Sequence, residues 1–273
     1  MNLCRENQIA QMSNFRVHEL LDRHTADDKW RLSIVVPAMN EGLNIQRLVA
    51  EVEESVVALV SQTELIIVDD GSTDQTAHET IKAAATRPWV RLVRHSRRCG
   101  QSAAMNTGIQ AARGQFLATL DADLQNDPAD LPRLLTIVAN GEADMAQGLR
   151  ARRQDNIVRK ITSWIGRTAR RLLLRDNIRD TGCSTRVMRT EVARLLPLQY
   201  AGMHRFVPVY ARMLGATVME VAVSHRPRVA GQTKYGVLNR GWSGLLDCFA
   251  VRWMRSRLRT IELMPEVVEA THE

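Results

Sequence analysis

The chain has 273 residues, of which 45% are hydrophobic, so it is long enough for one large α/β domain with appendages and too apolar for wholesale disorder. Its formal net charge of +7 predicts an anionic partner: a phosphorylated substrate, a nucleic acid or an anionic membrane surface. With only three Tyr and four Phe, it lacks the basic and aromatic pattern of a single-stranded nucleic-acid platform, so nucleic acid is not expected.

Residues 1–29 are polar and mixed in charge, and we expect a loose arm or a short helix there. They contain no apolar segment typical of a signal peptide, and no run of about 18 apolar residues predicts a transmembrane helix in this sequence. The four cysteines are widely spaced and form no C-x-x-C pair. This spacing leaves a zinc site unsupported and favours reduced thiols in the cytoplasm.

Apolar strands alternate with amphipathic helices from residue 32 onwards. This alternation predicts a mostly parallel sheet with helices on both faces, whose ligands bind at the carboxyl ends of the strands. We expect Pro37 to end the first strand ladder and Gly114 to cap the third helix. The predicted strands cover residues 33–37, 64–68, 90–94 and 116–120, and the predicted helices cover residues 44–60, 74–85 and 101–112.

Two carboxylates one residue apart, Asp121 and Asp123, directly follow the fourth predicted strand. In an extended segment, residues i and i+2 share a face, so both carboxylates point the same way if the strand geometry persists. Such a pair predicts an oxygen site for a hard divalent cation, which can in turn hold a substrate diphosphate. Asp69 and Asp70 follow the second strand and should reach the same rim of the sheet.

Basic residues dominate the second half, where residues 150–186 contain eleven arginines and lysines against three aspartates. Apolar residues at helical spacing predict a basic amphipathic helix over residues 157–173, and tryptophans mix with arginines in a second one over residues 242–258. Both segments suit a membrane interface. A packed surface helix with a solvated charged face explains the first equally well, and docking on the core or on a subunit explains the second.

Six motifs, taken together, resemble the metal-dependent family-2 glycosyltransferases. The resemblance implies the nucleotide-sugar-binding A-type fold of that family, a mostly parallel α/β sheet flanked by helices, here with amphipathic C-terminal helices. Two of the motifs, RDTGCSTRVMR (179–189) and HRPRVAGQTKYG (225–236), are similar to the polyprenyl-phosphate branch, which includes dolichyl-phosphate mannosyltransferase and undecaprenyl-phosphate sugar transferases. The other four motifs are VVPAMNEGLNI (35–45), LIIVDDGSTDQT (65–76), GQSAAMNTGIQAARG (100–114) and LDADLQNDP (120–128).

The resemblance implies a metal and donor site at the rim of the sheet. Asp121 and Asp123 would hold Mg²⁺ or Mn²⁺, and Gln125 would add a third oxygen ligand. Turn chemistry is the plainer alternative for the two aspartates that follow the second strand, and a helix start is the alternative for Glu41. The residues implied in nucleotide-sugar binding are Pro37, Ala38, Asn40, Glu41, Asp69, Asp70, Gln101, Asp121, Ala122 and Asp123.

The resemblance also implies an acceptor site made of basic side chains, because guanidinium groups bind phosphate in a bidentate way. Segment 225–236 would close over the active site, although an ordinary basic loop explains its composition as well. Asp180 joins Asp121 and Asp123 as a catalytic residue and would position the sugar or the acceptor. The implied phosphate-binding residues are Arg150, Arg153, Arg159, Arg226, Arg228 and Lys234.

The implied reaction is an inverting transfer of a sugar from a UDP- or GDP-sugar to a polyprenyl phosphate. A phosphomonoester has a second pKa of about 6, so it is nucleophilic at neutral pH without a catalytic base. Two alternatives stay open. One is a soluble family-2 enzyme that elongates a saccharide, with Asp180 or Asp127 as general base, and the other is a non-catalytic nucleotide-sugar-binding protein.

The resemblance divides the chain into an N-terminal arm (1–29), a catalytic domain (30–240) and an amphipathic C-terminal helix and tail (241–273). Within the catalytic domain, residues 30–150 would bind the nucleotide-sugar and residues 151–240 the acceptor. We expect a cytoplasmic protein that lies peripherally on the inner face of the membrane, held by anionic lipid or by a membrane partner subunit. A homo-oligomer is left open.

Overall fold

The computed structural model describes residues 31–150, 168, 170–226 and 237–259. Within these residues, seven strands form one sheet in the order β3-β2-β1-β4-β6-β5-β7. The strands are β1 (Leu32–Ala38), β2 (Thr63–Asp69), β3 (Val90–Arg94), β4 (Phe116–Thr119), β5 (Met145–Arg150), β6 (Arg186–Arg189) and β7 (Val218–Val223). The helices are α1 (Gly42–Ser55), α2 (Thr76–Thr86), α3 (Gln101–Ala111), α4 (Leu131–Ala139), α5 (Thr190–Arg194), α6 (Val207–Met213) and α7 (Val237–Arg257), and 3₁₀ turns cover Val57–Gln62, Pro128–Asp130 and Met203–Phe206.

The parallel half of the sheet confirms the predicted architecture. β1 lies between β2 and β4 and pairs parallel with both, and β3 extends the sheet beside β2. β2 is buried along its whole length, as expected for a strand covered by helices on both faces. Ile34 and Val36 join the core cluster that contains α1, and Val35 joins the cluster that contains α3. The predicted helix over 44–60 is α1 followed by a 3₁₀ turn.

The second half adds three strands that the sequence did not predict. β6 runs antiparallel between β4 and β5, and β5 pairs parallel with β7. Thr119, the last residue of β4, lies opposite Arg186, the first residue of β6. Because β6 runs antiparallel to β4, the segment just before β6 lies at the carboxyl end of β4. Most of the basic helix predicted over 157–173 lies outside the described residues.

Two residues expected to end elements act differently. β1 continues through Pro37 to Ala38, whose carbonyl accepts a hydrogen bond from the chain after β2. Pro37 thus faces the β4 side, where the ladder has already ended at Val35, so its missing N–H leaves no bond unmade. Gly114 does not cap α3 with a left-handed conformation; a Cβ there would lie 2.7 Å from the backbone nitrogen of Ser33. Glycine is needed for this close backbone approach.

Buried carboxylates from the two ends of β2 hold the two ends of α3. Glu64, near the start of β2, accepts a 2.6 Å hydrogen bond from the backbone N–H of Arg113, just after α3. Asp70, directly after β2, accepts hydrogen bonds of 2.7 and 2.8 Å from the backbone N–H groups of Cys99 and Gly100, just before α3. The helix dipole favours an anion at that end. α3 is therefore fixed along the strand.

Helix α7 packs on the domain through one face. Its Cys248 and Val251 are buried in the core cluster that contains α3. It begins at Val237 and so crosses the domain boundary expected at residue 240. Among the residues described, no helix combines the length and the apolar character needed to cross a bilayer.

Close packing of α3 against the sheet predicts that Gly108→Ala destabilises the fold. A Cβ at Gly108 would overlap Cγ1 of Val35 and lie 3.1 Å from Cγ2 of Val68. Overpacking of this kind costs about 1–3 kcal/mol of unfolding free energy, measurable by urea denaturation. The matched control is Gly244→Ala in α7, where nothing lies within 4 Å and helix propensity predicts a gain of about 0.5–1 kcal/mol. Equal midpoints for the two variants would contradict the packing.

Candidate active site

A tight turn follows β4 and presents the predicted carboxylates at the rim of the sheet. Leu124 in this turn has φ +60°, a left-handed conformation that a leucine adopts at a cost of about 1–2 kcal/mol. Its side chain is buried in the core, which offsets the strain. The turn lets the backbone N–H of Gln125 donate to Oδ1 of Asp123 at 3.2 Å. The loop shape is thus fixed by packing and by its own hydrogen bonds.

Asp121 is partly buried and receives hydrogen bonds from two distant elements. Nε2 of Gln101, the first residue of α3, donates to Oδ1 at 3.0 Å. Oγ of Ser184, in the segment before β6, donates to Oδ2 at 2.7 Å. The structure therefore brings together Asp121 and Gln101, both predicted in the donor site, and adds Ser184, which was not predicted.

The electrostatics of Asp121 suit a site for a cation. Burial raises its pKa above the usual range, and the neighbouring charge of Asp123 raises it further. The hydrogen bond from Ser184 and the charges of Arg186 and Arg150 act in the opposite direction. Two carboxylates that disfavour each other's charge are stabilised by a divalent cation between them.

The residues present fit Mg²⁺ or Mn²⁺. A carboxylate offers about four lone-pair sites, so Asp121 keeps acceptor capacity beyond its two hydrogen bonds. The side-chain amide nitrogen of Gln125 donates to the carbonyl of Arg226 at 3.5 Å, and ligation of a cation by its amide oxygen stays a prediction. These are all oxygen donors, which hard divalent cations prefer.

A second group of potential ligand atoms lies just beyond the carboxyl ends of β2 and β3. One ligand atom each from Asp70, His95 and Cys99 lies within 4.8 Å of the others. Oδ1 of Asp70 is 2.9 Å from Nδ1 of His95, and both carboxylate oxygens bind backbone N–H groups before α3. The carboxylate is therefore explained as an anchor for α3, a role that the sequence did not predict. Its nitrogen and sulfur neighbours suit zinc better than Mg²⁺.

Hydrogen bonds join the loops after β1 and β2 through residues that were predicted to bind the nucleotide-sugar. Oδ1 of Asn40, which has φ 54°, accepts from the backbone N–H of Thr73 at 2.9 Å. The backbone N–H of Glu41 donates to Thr76, and its carboxylate accepts from Asn44. Pro37 and Ala38 are the last two residues of β1 and directly precede this junction. A role of these residues in nucleotide binding stays a prediction.

An open cleft of about 490 Å³ lies beyond the carboxyl ends of β2 and β3. Asp69 lies behind it, fully buried, accepting from the backbone N–H of Ser72 and pairing with Arg94 at 3.0 Å. The sequence predicted ligands at this rim but missed the residues that line the cleft. The only signal was their position just after the second and third predicted strands. They are Gly71, Ser72, Thr73, Arg94, His95 and Ser96.

Arg150, predicted to bind a phosphate, and Asp180, predicted to position the sugar or the acceptor, bind each other. Nε and Nη2 of Arg150 donate to the two carboxylate oxygens of Asp180 at 2.7 and 2.8 Å. Burial lowers the pKa of Arg150, but the hydrogen bonds and charge of Asp180 outweigh it and raise the pKa overall. A carboxylate held by an arginine is a weak base, so this geometry favours positioning over proton abstraction.

Arg226 anchors the start of segment 225–236 against the loop that follows β4. Its guanidinium pairs with Glu51 at 2.8 Å and with Asp127 at 2.6 Å, and its backbone N–H donates to the carbonyl of Gln125. Contact with the acceptor phosphate stays a prediction for this side chain. The other predicted phosphate-binding residues, Arg153, Arg159, Arg228 and Lys234, lie outside the described residues.

Arg186 is a charged residue near the site that the sequence did not single out. It is 2% exposed, and its guanidinium donates to the carbonyls of Cys183 and His204. Burial lowers its pKa to about 10. Arg186 lies in the motif RDTGCSTRVMR, but no local pattern in that motif indicates that this arginine starts a buried strand.

A carboxylate pair just after a central strand, on a mostly parallel sheet flanked by helices, is the arrangement expected for the glycosyltransferase A-type fold. The chain belongs to glycosyl transferase family 2, whose family model matches residues 33–196. It is similar to the dodecaprenyl-phosphate galacturonate synthase of Rhizobium johnstonii, with 36% identity over 233 residues, 84% of this chain and 68% of that protein. It is also similar to the undecaprenyl-phosphate 4-deoxy-4-formamido-L-arabinose transferase of Pseudomonas aeruginosa, with 33% identity over 212 residues, 76% of this chain and 61% of that protein.

The solved structures confirm the predicted fold. Glucosyl-3-phosphoglycerate synthase of Mycobacterium tuberculosis, in complex with Mn²⁺, UDP and glucosyl-3-phosphoglycerate, aligns with a TM-score of 0.64. The alignment covers 86% of this chain and 83% of that one at 20% identity. At this identity the likeness concerns the fold, and it places the strand-end rim of this chain within a glycosyltransferase architecture.

The oxygen site predicts that Asp121→Asn and Asp123→Asn each weaken Mn²⁺ binding at least about 10-fold while the unfolding midpoint is kept. Each substitution removes a negative charge without changing side-chain size. Mn²⁺ binding is measured by calorimetry or by the loss of the free-ion electron paramagnetic resonance signal. Glu53→Gln, an exposed carboxylate paired with Arg87, is the control. Binding that survives in both variants and disappears in Cys99→Ser would instead locate the ion at Asp70, His95 and Cys99.

Proposed function

We propose that this enzyme transfers a sugar from a nucleotide-sugar to a polyprenyl phosphate, with inversion and with Mg²⁺ or Mn²⁺ as cofactor. One observation carries the proposal: a pair of hydrogen-bonded carboxylates, Asp121 and Asp123, follows a central strand in a chain similar to sugar transferases named for polyprenyl-phosphate substrates. The chain spans 61–68% of the length of those two relatives, so the substrates form part of the proposal.

The donor half of the reaction would use the rim of the sheet. Asp121, Asp123 and Gln125 would hold the cation on the donor diphosphate. When bound, it would act as a Lewis acid that neutralises the charge developing on the nucleoside diphosphate as that group leaves. The cleft beyond β2 and β3 would take the base and ribose, as clefts at strand ends do in open α/β sheets. Either a UDP- or a GDP-sugar fits this proposal.

The acceptor half would need no general base. A phosphate oxygen of the lipid forms a bond to the anomeric carbon as the bond from that carbon to the donor diphosphate breaks, and the electron pair leaves with the diphosphate. One displacement inverts the configuration. Asp180, held by Arg150, would position the sugar or the acceptor. A hydroxyl acceptor would instead need a base such as Asp127, but its carboxylate pairs with Arg226.

The exposed face of α7 favours attachment to an anionic membrane surface. Leu246, Phe249 and Trp253 recur every three to four residues and are each more than half exposed, opposite the buried Cys248 and Val251. We call these three residues, Leu246, Phe249 and Trp253, the apolar stripe.

Charge around the apolar stripe decides between a bilayer and a protein partner. The exposed arginines of α7 are Arg252, Arg255 and Arg257, and the guanidinium carbon of Arg257 lies 6.0 Å from the centroid of the Trp253 ring. Each basic residue near an anionic surface contributes about 1 kcal/mol to binding. We therefore propose peripheral binding to anionic lipid on the cytoplasmic face of the membrane, where a lipid-linked phosphate would be reached.

The proposed reaction predicts that labelled sugar moves from a nucleotide-sugar into an organic-extractable product when undecaprenyl phosphate and Mn²⁺ are present. EDTA should abolish this transfer, and Asp123→Ala should reduce it at least about 100-fold without lowering the unfolding midpoint, because the diphosphate loses its counter-charge. A panel of UDP- and GDP-sugars identifies the donor. Label found only in water-soluble glycans would support the saccharide-elongating alternative, and nucleotide-sugar binding without any transfer would support the non-catalytic one.

The apolar stripe predicts that Phe249→Ala with Trp253→Ala lowers co-sedimentation with anionic vesicles several-fold, and that high salt releases the unmodified protein. Leu43→Ala with Ile81→Ala is the matched control, since those side chains are also exposed but lie on α1 and α2. Absence of vesicle binding by the unmodified protein at any salt concentration would leave the stripe to a membrane partner subunit or to a second copy of the chain.

A further inference from the structure

The hydrogen bond to Oδ2 of Asp121 comes from a side chain that is itself oriented. Nδ2 of Asn126 donates to Oγ of Ser184 at 2.6 Å, and Oγ of Ser184 donates to Asp121 at 2.7 Å. A hydroxyl has one proton, and the amide donor of Asn126 leaves that proton for the carboxylate. The direction of both hydrogen bonds is therefore determined.

The pair is also fixed by its backbone. Ser184 is 6% exposed and Asn126 is 5% exposed, so water does not compete with either hydrogen bond. Oγ1 of Thr119, at the end of β4, donates to the backbone carbonyl of Ser184. The backbone of Asn126 forms an antiparallel bridge with His225. Both members are thus held at the strand end that carries Asp121.

We propose that Asn126 and Ser184 act as positioning residues, which fix the orientation of the Asp121 carboxylate for the divalent cation. The inference rests on the proposed function only in assigning the cation to Asp121 and Asp123. Partners of metal ligands act through orientation, and their removal typically costs about 10- to 100-fold in metal affinity. Neither residue belongs to the predicted site, and neither would touch the sugar or the phosphate.

The arrangement makes a specific claim about how the two residues combine. Ser184→Ala removes the contact to Asp121 directly, whereas Asn126→Ala removes only the group that orients Ser184. In Ser184→Ala, no hydroxyl group connects the amide of Asn126 to the carboxylate of Asp121. The second substitution should then add little to the loss of Mn²⁺ affinity, although independent structural effects would add.

The test is a double-mutant cycle read as Mn²⁺ affinity, without nucleotide or acceptor. We expect Ser184→Ala to weaken Mn²⁺ binding about 10-fold or more, Asn126→Ala to weaken it less, and the double variant to match Ser184→Ala. Ser33→Ala is the matched control, because Ser33 is a fully buried serine that donates to a buried carboxylate, Glu64, at 2.6 Å. It lies at the opposite end of the sheet and should lower the unfolding midpoint without changing Mn²⁺ affinity.

The outcomes separate this inference from the proposed function. Unchanged Mn²⁺ affinity in Ser184→Ala, or equal losses in Ser184→Ala and Ser33→Ala, would overturn the positioning role while the metal assignment stands. Additive losses in the double variant would also overturn it. A protein whose Mn²⁺ binding is insensitive to Asp123→Asn would overturn the metal assignment and this inference together.

Discussion

The position of α3 depends on two buried carboxylates at the ends of one strand. Glu64 binds the hydroxyl of Ser33 and the guanidinium of Arg91 as well as the chain after α3, and Asp70 binds the chain before it. A buried carboxylate costs several kcal/mol unless it is paired and hydrogen-bonded, so moving the helix would leave both charges unsatisfied. Gln101 is the first residue of this helix. Its contact with Asp121 is therefore a consequence of how β2 is built.

The site is assembled from three parts of the chain that meet only in the folded sheet. Asp121 follows β4, α3 supplies Gln101, and Ser184 precedes the antiparallel β6, which returns the chain to the same point. Gln101 begins α3, and the buried Ser184 is held by the hydroxyl of Thr119 in β4, so both contacts come from residues anchored to the core. Such a carboxylate is oriented before any ligand arrives, which lowers the reorganisation needed for binding.

Features that depend on interactions between nearby residues could be predicted from the sequence, and features that depend on distant partners could not. The strands and helices of residues 32–120 were predictable, because apolar periodicity is local and β1, β2 and β4 are buried on both faces. β5 and β6 were not, since MAQGLR and RVMR contain polar residues whose burial depends on distant partners. Arg186 is tolerated in the core only because the carbonyls of Cys183 and His204 accept its N–H groups. The pairing of Arg150 with Asp180 likewise cannot be predicted from the charges in the sequence alone.

This pairing changes what the basic composition means. Of the arginines expected at the acceptor, Arg150 is held by Asp180, and Arg226 is held by Glu51 and Asp127. Each forms a pair or cluster with no excess positive charge, which orients the surrounding loops but attracts a phosphate weakly. The exposed Arg252 and Arg257 of α7 are different, because they lie on a helix that also exposes Leu246, Phe249 and Trp253. Among the described residues, the arginines that suit approach to an anionic surface are therefore separate from the paired Arg150 and Arg226 near the strand-end site.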